Sequence, residues 1–256
     1  MPRFILRFLA LSVLCATGAF GQQGTFGQIA YGGSWQTTFT LINVSTLGTA
    51  NVTLSFFGDN GQPLNAPVQG FGVTPVYTFA IPAGGAQNVV LSSSDAATTQ
   101  GWASLSASGG TVRGQGSFRF LVPNGSGAIA EAVVPLSLPS SALCIVPFPQ
   151  FDPVILVPFD NTAGQYVTSL ALANSTNGQL TVPIEFDDQS GSPLQADTLN
   201  LTAMQHTAFV TTARYSTALV GKKGILRIHA DPAKLTVLGL LSNSTNAITT
   251  IIPVSQ

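Results

Sequence analysis

Apolar and small polar residues alternate through Trp35 to Leu64, WQTTFTLINVSTLGTANVTLSFFGDNGQPL, on both sides of a polar turn. Trp35, Thr37, Phe39 and Leu41 fall on one face of a first strand, and Val52, Leu54 and Phe56 on one face of a second. Asp59-Asn60-Gly61 then supplies residues that accept positive φ, so the stretch reads as an opening hairpin with a tight turn at its end. The same grammar returns about 130 residues later. Tyr166, Thr168, Leu170 and Leu172, then Asn174, then Val182, Ile184 and Phe186, then Asp187-Asp188-Gln189-Ser190-Gly191-Ser192-Pro193-Leu194 reproduce it. Asn43 answers to Asn174, Gly61 to Gly191, Leu64 to Leu194, Gly101 to Gly224, Gly116 to Gly239 and Pro135 to Pro253. A tandem repeat is expected.

Between these landmarks further strands are predicted. Gln22 to Gly33 is expected as a short edge strand. Val76 to Ile81 and Gln87 to Leu91 flank the turn residues Pro82 to Gly85, and Gly101 to Ala107 and Val112 to Phe120 flank Ser108-Gly109-Gly110 as another hairpin. Ala130 to Leu136 closes the unit. The second unit is read as strands over Val154–Phe159, Tyr166–Asn174, Leu180–Phe186, Asp197–Leu201, Thr207–Thr211, Gly224–His229, Leu235–Leu241 and Ile248–Pro253, with one helical turn within Thr212 to Gly221. Pro183 inside the third of these strands suggests a sheet edge. Short strands with regular turn signals predict an all-β chain of two antiparallel β-sandwich domains, over 22–136 and 154–256. Residues 137–153, with Pro139, Pro147, Pro149 and Pro153, are expected to form a stiff linker that few contacts cross.

Residues 1–21 read as a signal peptide: Arg3 and Arg7, an apolar run from Phe8 to Ala16, then Ala19-Phe20-Gly21. The run is short for a membrane span, and no later stretch is expected to be a transmembrane segment. Cys15 raises a lipoprotein reading, which Ser12-Val13-Leu14 before it disfavours. A secreted, cell-surface or periplasmic location follows. Cys144 is then the one remaining cysteine, either a small buried hydrophobe or one end of an intermolecular bridge.

Charged residues are only 7% of the chain, against about 25% on average. Loss of Arg3 and Arg7 with the leader takes the net charge from -1 to about -3, so nucleic acid and anionic membranes are poor partners. The strand, Asn, turn, strand and Asp-x-x-Gly-x-Pro-Leu pattern resembles the tandem immunoglobulin-like β-sandwich repeats of secreted and surface-displayed bacterial proteins. That resemblance implies adhesion, spacing or scaffold roles, with a surface protein or glycan as partner and no catalytic residue.

The titratable inventory is consistent with no catalytic site and no cofactor. His206 and His229 have no second His or Cys at metal-ligand spacing, and nucleophile-elbow, zinc-protease and phosphate-loop motifs are missing. Three residues are candidates for ligand contact. Trp102, on the strand face of Ser104, is a possible stacking platform for a sugar ring, although inter-loop packing competes with that role. Asp187 and Asp188 offer carboxylates for a partner or for calcium, although hairpin chemistry also explains them. Sequons occur at Asn43, Asn51, Asn124, Asn174, Asn200 and Asn243. The expected function is an exported, non-enzymatic structural, adhesion or scaffold module. A carbohydrate-binding module is the alternative, and a hydrolase with dispersed residues, a Ser beside His206 or His229, is the third reading.

Overall fold

In the computed structural model, residues 21–121, 128–138, 153–245 and 247–255 are described. Most of the leader, Cys15, Asn124, Cys144 and most of the proline-rich segment lie outside them. The elements, in chain order, are β1 (Gln22–Tyr31), β2 (Trp35–Asn43), β3 (Ala50–Gly58), β4 (Ala66–Val68), β5 (Gly72–Thr74), β6 (Val76–Ile81), β7 (Ala86–Ser92), β8 (Thr99–Ser108), β9 (Val112–Leu121) and β10 (Ala128–Pro135). The second half contributes β11 (Val154–Asp160), β12 (Tyr166–Asn174), β13 (Leu180–Asp188), β14 (Pro193–Leu201), β15 (His206–Val210), α1 (Thr211–Arg214), α2 (Ser216–Leu219), β16 (Lys223–His229), β17 (Leu235–Asn243), β18 (Ile248–Ile251) and β19 (Val254–Ser255). The chain is all-β, and the helical turn expected after Thr211 is present as α1 and α2.

Each half is a pair of antiparallel sheets. The first pairs β1-β8-β3-β6 with β10-β9-β2-β7-β4-β5, and the second pairs β14-β13-β16-β11-β19 with β15-β12-β17-β18. The predicted inward stripes form the cores: Phe39, Leu41, Leu54 and Phe56 in one half and Leu170, Leu172, Ile184 and Phe186 in the other are all buried. Period-two alternation placed those side chains because a strand turns successive residues to opposite faces.

Alternation assigns a face but not a neighbour, and the expected hairpins differ for that reason. β2 and β3 are not partners. β2 pairs with β7 and β9, and β3 pairs with β6 and β8, so the chain crosses from one sheet to the facing sheet between them. The same crossing separates β6 from β7 and β8 from β9. Pro183 is not on an edge strand, although its own side away from β14 is unpaired. β13 lies between β14 and β16, and the β16 ladder starts at Ile184, one residue past the proline, so no hydrogen bond on that side is lost. β1 spans ten residues rather than being short, and its buried run from Phe26 to Tyr31 shows cover on both faces.

Two polar residues recur at equivalent places with equivalent bonds. Asn43 Nδ2 donates to the carbonyls of Gly48 and Ile81, while its Oδ1 accepts from Ser45 N. Asn174 Nδ2 donates to Gly178, Leu201 and Thr202 carbonyls, and its Oδ1 accepts from Thr176 N. Both are fully buried and tie a crossing loop to the end of a strand in the facing sheet, so neither sequon is open to modification. Thr37 Oγ1 exchanges hydrogen bonds with the backbone of Ala30, as Thr168 Oγ1 does with Asp160.

Phe56 packs wholly inside, its ring 6.3 Å from that of Phe39. Phe56→Ala is expected to destabilise the chain by about 3–5 kcal/mol, read as a lower denaturant midpoint at unchanged slope.

Candidate functional site at the junction of the two halves

The halves meet across a packed junction rather than only through the proline-rich segment, which corrects the expectation that few contacts cross. The sheet β15-β12-β17-β18 is apolar on both faces. Leu170, Leu172 and Val237 point into the second core, whereas Ala171 and Leu238 are part of the first, with Leu240 and Ile248 packed against it. Gly27 allows β1 this close, because a Cβ there would stand 3.0 Å from Thr236 Cγ2. The hydroxyls of Thr25 and Thr236 meet at 2.5 Å. At the far edge Thr250 Oγ1 donates to Val133 O and accepts from Val133 N, joining β18 to β10.

Trp102 sits inside this junction, in the packing role rather than as an exposed platform. It is fully buried, stacked on Phe57 at 4.8 Å, and its Nε1 donates to Met204 O at 2.8 Å. Met204 holds a left-handed φ of 58°, so the turn before β15 presents that carbonyl to the indole. Beside it the Asp59-Asn60-Gly61 turn lies directly on the 202–205 turn. Gly61 has φ 76°, and a Cβ there would stand 2.3 Å from Ala203 O.

From the same turn, the Asp59 carboxylate accepts a 2.7 Å hydrogen bond from His206 Nδ1. The imidazole is 1% exposed, and its Nε2 is sealed from solvent without a hydrogen-bond partner. This resembles the carboxylate–imidazole part of a hydrolytic site, but substrate cannot reach the nitrogen that would act as base. His229 Nε2 lies 3.6 Å from Glu185 Oε2 on the surface of the second half.

Asp187 and Asp188 are adjacent but differently engaged. Asp187 is largely buried and accepts from Arg227 Nε at 2.7 Å. Asp188 Oδ1 accepts from Ser190 Oγ, Ser190 N and Ser192 N, closing the β13–β14 turn. Those bonds, the Ser190 hydroxyl first, hold its carboxyl below the usual carboxylate range. Trp102 is not brought to them. It contacts the turn after β14 and they form the turn before it, so a nine-residue strand of about 27 Å intervenes. Among the described residues no group of three or more His, Cys, Asp or Glu is placed to hold a metal ion.

A cleft of about 340 Å³ opens between the halves, and none of its residues was a candidate site residue from sequence. Trp35 and Phe118 line it with aromatic residues, and Gln28, Thr98, Gln100 and Ser169 supply polar groups, while the ring of Phe209, also at its wall, packs on Tyr215 at the second core. Gln28, 6% exposed and placed by the β1 bulge, donates through Nε2 to Ile29 O and Gln100 Oε1, leaving Oε1 without a partner. Trp35 is braced edge-on by Phe120 at 5.2 Å and by Phe118 at 5.5 Å. The one sequence signal was the loss of alternation in Gly27-Gln28-Ile29-Ala30-Tyr31.

No protein-family model and no curated protein sequence matches this chain. Among solved structures, a calcium-binding mutant of Bacteroides uniformis β-glucuronidase 2 aligns at 11% identity, over 91% of this chain and 26% of that one, with a TM-score of 0.19. A second Bacteroides uniformis β-glucuronidase structure aligns at 11% identity over 93% and 26%, with a TM-score of 0.18. This chain spans about a quarter of their length. Similarity at that level supports no argument about activity.

Trp102→Ala is expected to lower stability by about 3–5 kcal/mol, since it empties a buried site and leaves Met204 O unpaired. Gly61→Val is expected to destabilise through the Ala203 clash, whereas Gly191→Ala, with nothing within 4 Å, loses only backbone ease. Denaturant midpoints of the three variants check the order.

Proposed function

We propose that this chain is an exported, non-enzymatic structural or adhesion module of two tandem immunoglobulin-like β-sandwich domains, acting at the cell surface or in the extracellular matrix. The observation that carries this reading is the junction. Residues of both halves share one core, and Trp102–Met204, Asp59–His206 and Val133–Thr250 bond across it. Two sandwiches held this way make a stiff spacer rather than beads on a flexible string, and stiffness is what a surface module needs to present its loops at a fixed distance. The leader supports export, and the scarcity of charge suits passive contact with a protein or glycan rather than with nucleic acid.

The expected outcome of cell fractionation is a processed chain, starting near Gln22, in the surface or culture fraction. The purified form should turn over no polysaccharide, ester or peptide substrate. An unprocessed chain confined to the cytosol, or turnover that co-purifies with it, would overturn the reading.

The cleft favours a second reading, carbohydrate binding, because aromatic faces beside carboxamides and hydroxyls suit the apolar and hydroxylated faces of a pyranose ring. Titration with oligosaccharides should then quench indole fluorescence in the unaltered chain and in Trp102→Phe. The quench should vanish in Trp35→Phe. A signal that instead follows Trp102 excludes the cleft.

A further inference from the structure

Equivalent strands at the outer edges of the two halves are treated differently. β6 ends the β1-β8-β3-β6 sheet and β14 ends its counterpart, each pairing among the described residues only with the strand beside it. The β14 edge is guarded. Asp197 stands midway along it, its Oδ2 accepting from Tyr215 OH at 2.6 Å and Arg214 Nη2 at 3.0 Å, and α2 packs against the strand. Charge and cover of this kind keep a sheet edge from pairing with another chain.

The β6 edge has neither charge nor a helix over it. At its start Val76 N and O exchange hydrogen bonds with Thr74 Oγ1, and Thr78 and Ala80 beyond it are exposed. Its sequence, Val-Tyr-Thr-Phe-Ala-Ile, is uncharged, strongly β-forming and free of proline. The connection from β7 to β8, where the second half places α1 and α2, contains no helix. From Asn60 to Ser94 the chain carries no Asp, Glu, Lys or Arg. Next to the edge, the β4–β5 hairpin exposes Phe71 (63%) and Val73 (70%), and Val76 at the start of β6 is also exposed. Phe71, Tyr77 and Phe79 form an aromatic row, with ring centroids 4.9 and 5.2 Å apart.

We propose that the outer edge of β6 pairs antiparallel with β6 of a second copy of this chain, joining two four-stranded sheets into one of eight strands about a two-fold axis. The occupant is a second copy because the surface is charge-free over its whole extent. Two such patches meet with no charge to desolvate and no like-charge repulsion, whereas a charged partner would bury its charges unpaired. An isologous contact also sets the Phe71–Tyr77–Phe79 row of each copy beside that of the other, giving the backbone ladder an apolar flank.

Sedimentation of the purified chain over a wide concentration range tests this. The expected result is a dimer that dissociates on dilution. Val76→Lys and Ala80→Lys, both exposed on β6, should each weaken dimerisation at least about tenfold while circular dichroism and melting stay unchanged. Thr198→Lys, the same change on the guarded β14 edge, should leave the dimer intact. A monomer at every concentration, or a dimer that neither β6 variant weakens, would overturn the proposal. If the lysine variants fail to fold, amide exchange in the unaltered chain decides: β6 protection that rises with concentration supports pairing with a second copy, and protection independent of concentration overturns it.

Discussion

One sheet covered on both sides determines how this molecule is put together. In an isolated sandwich the outer face of β15-β12-β17-β18 would meet water, and its strands would alternate apolar with polar residues. Here Ala171, Ala173 and Leu238 on that face are as buried as Leu170 and Leu172 on the other. The Trp102 bond, the Asp59–His206 contact and the cleft all lie along this covered face, so they exist because the sheet is shared. Its near-continuous apolar runs, Leu-Ala-Leu-Ala and Leu-Thr-Val-Leu-Gly-Leu-Leu, are what two-sided burial requires.

The polar residues of the interior follow the same economy. Asn43 and Asn174 each satisfy carbonyls where a loop crosses between sheets, and Thr37 and Thr168 each close a gap between adjacent strand ends. Buried polar side chains are favoured when their donors and acceptors are occupied, which these four residues achieve by bonding to backbone at strand ends, open edges and loops. Gln28, Asn161 and His206 depart from that pattern, each keeping one buried atom unpaired, and the Gln28 Oε1 falls beside the cleft rather than within either core.

Most strand positions, and the inward stripes of β2, β3, β12 and β13, were legible in the sequence, because period-two alternation and turn residues are local signals. What is not local was lost. Phe39 and Leu54 announce a buried face, but nothing near them says that β2 and β3 sit in facing sheets. The polar strand neighbour Ser104 left Trp102 open between a surface platform and inter-loop packing, because the cover over it comes from Met204, about a hundred residues away. Asp187 read as a turn carboxylate, and only the fold reveals Arg227 beside it. The cleft was invisible for the same reason: Gln28 and Trp35 come together with Ser169 and Ala171 only when the halves meet.

Gly61 and Gly191 look interchangeable, each closing a turn at a left-handed φ, 76° and 82°. Their surroundings separate them. Around Gly191 there is open space, so the turn asks only for a residue at ease with that backbone, and asparagine meets the requirement. Gly61 is pressed against the backbone of the other half, where any side chain at all is too large. Two turns written in nearly the same letters therefore have unequal freedom to drift: the second can change with the needs of the surface, while the first is tied to the fit between the halves.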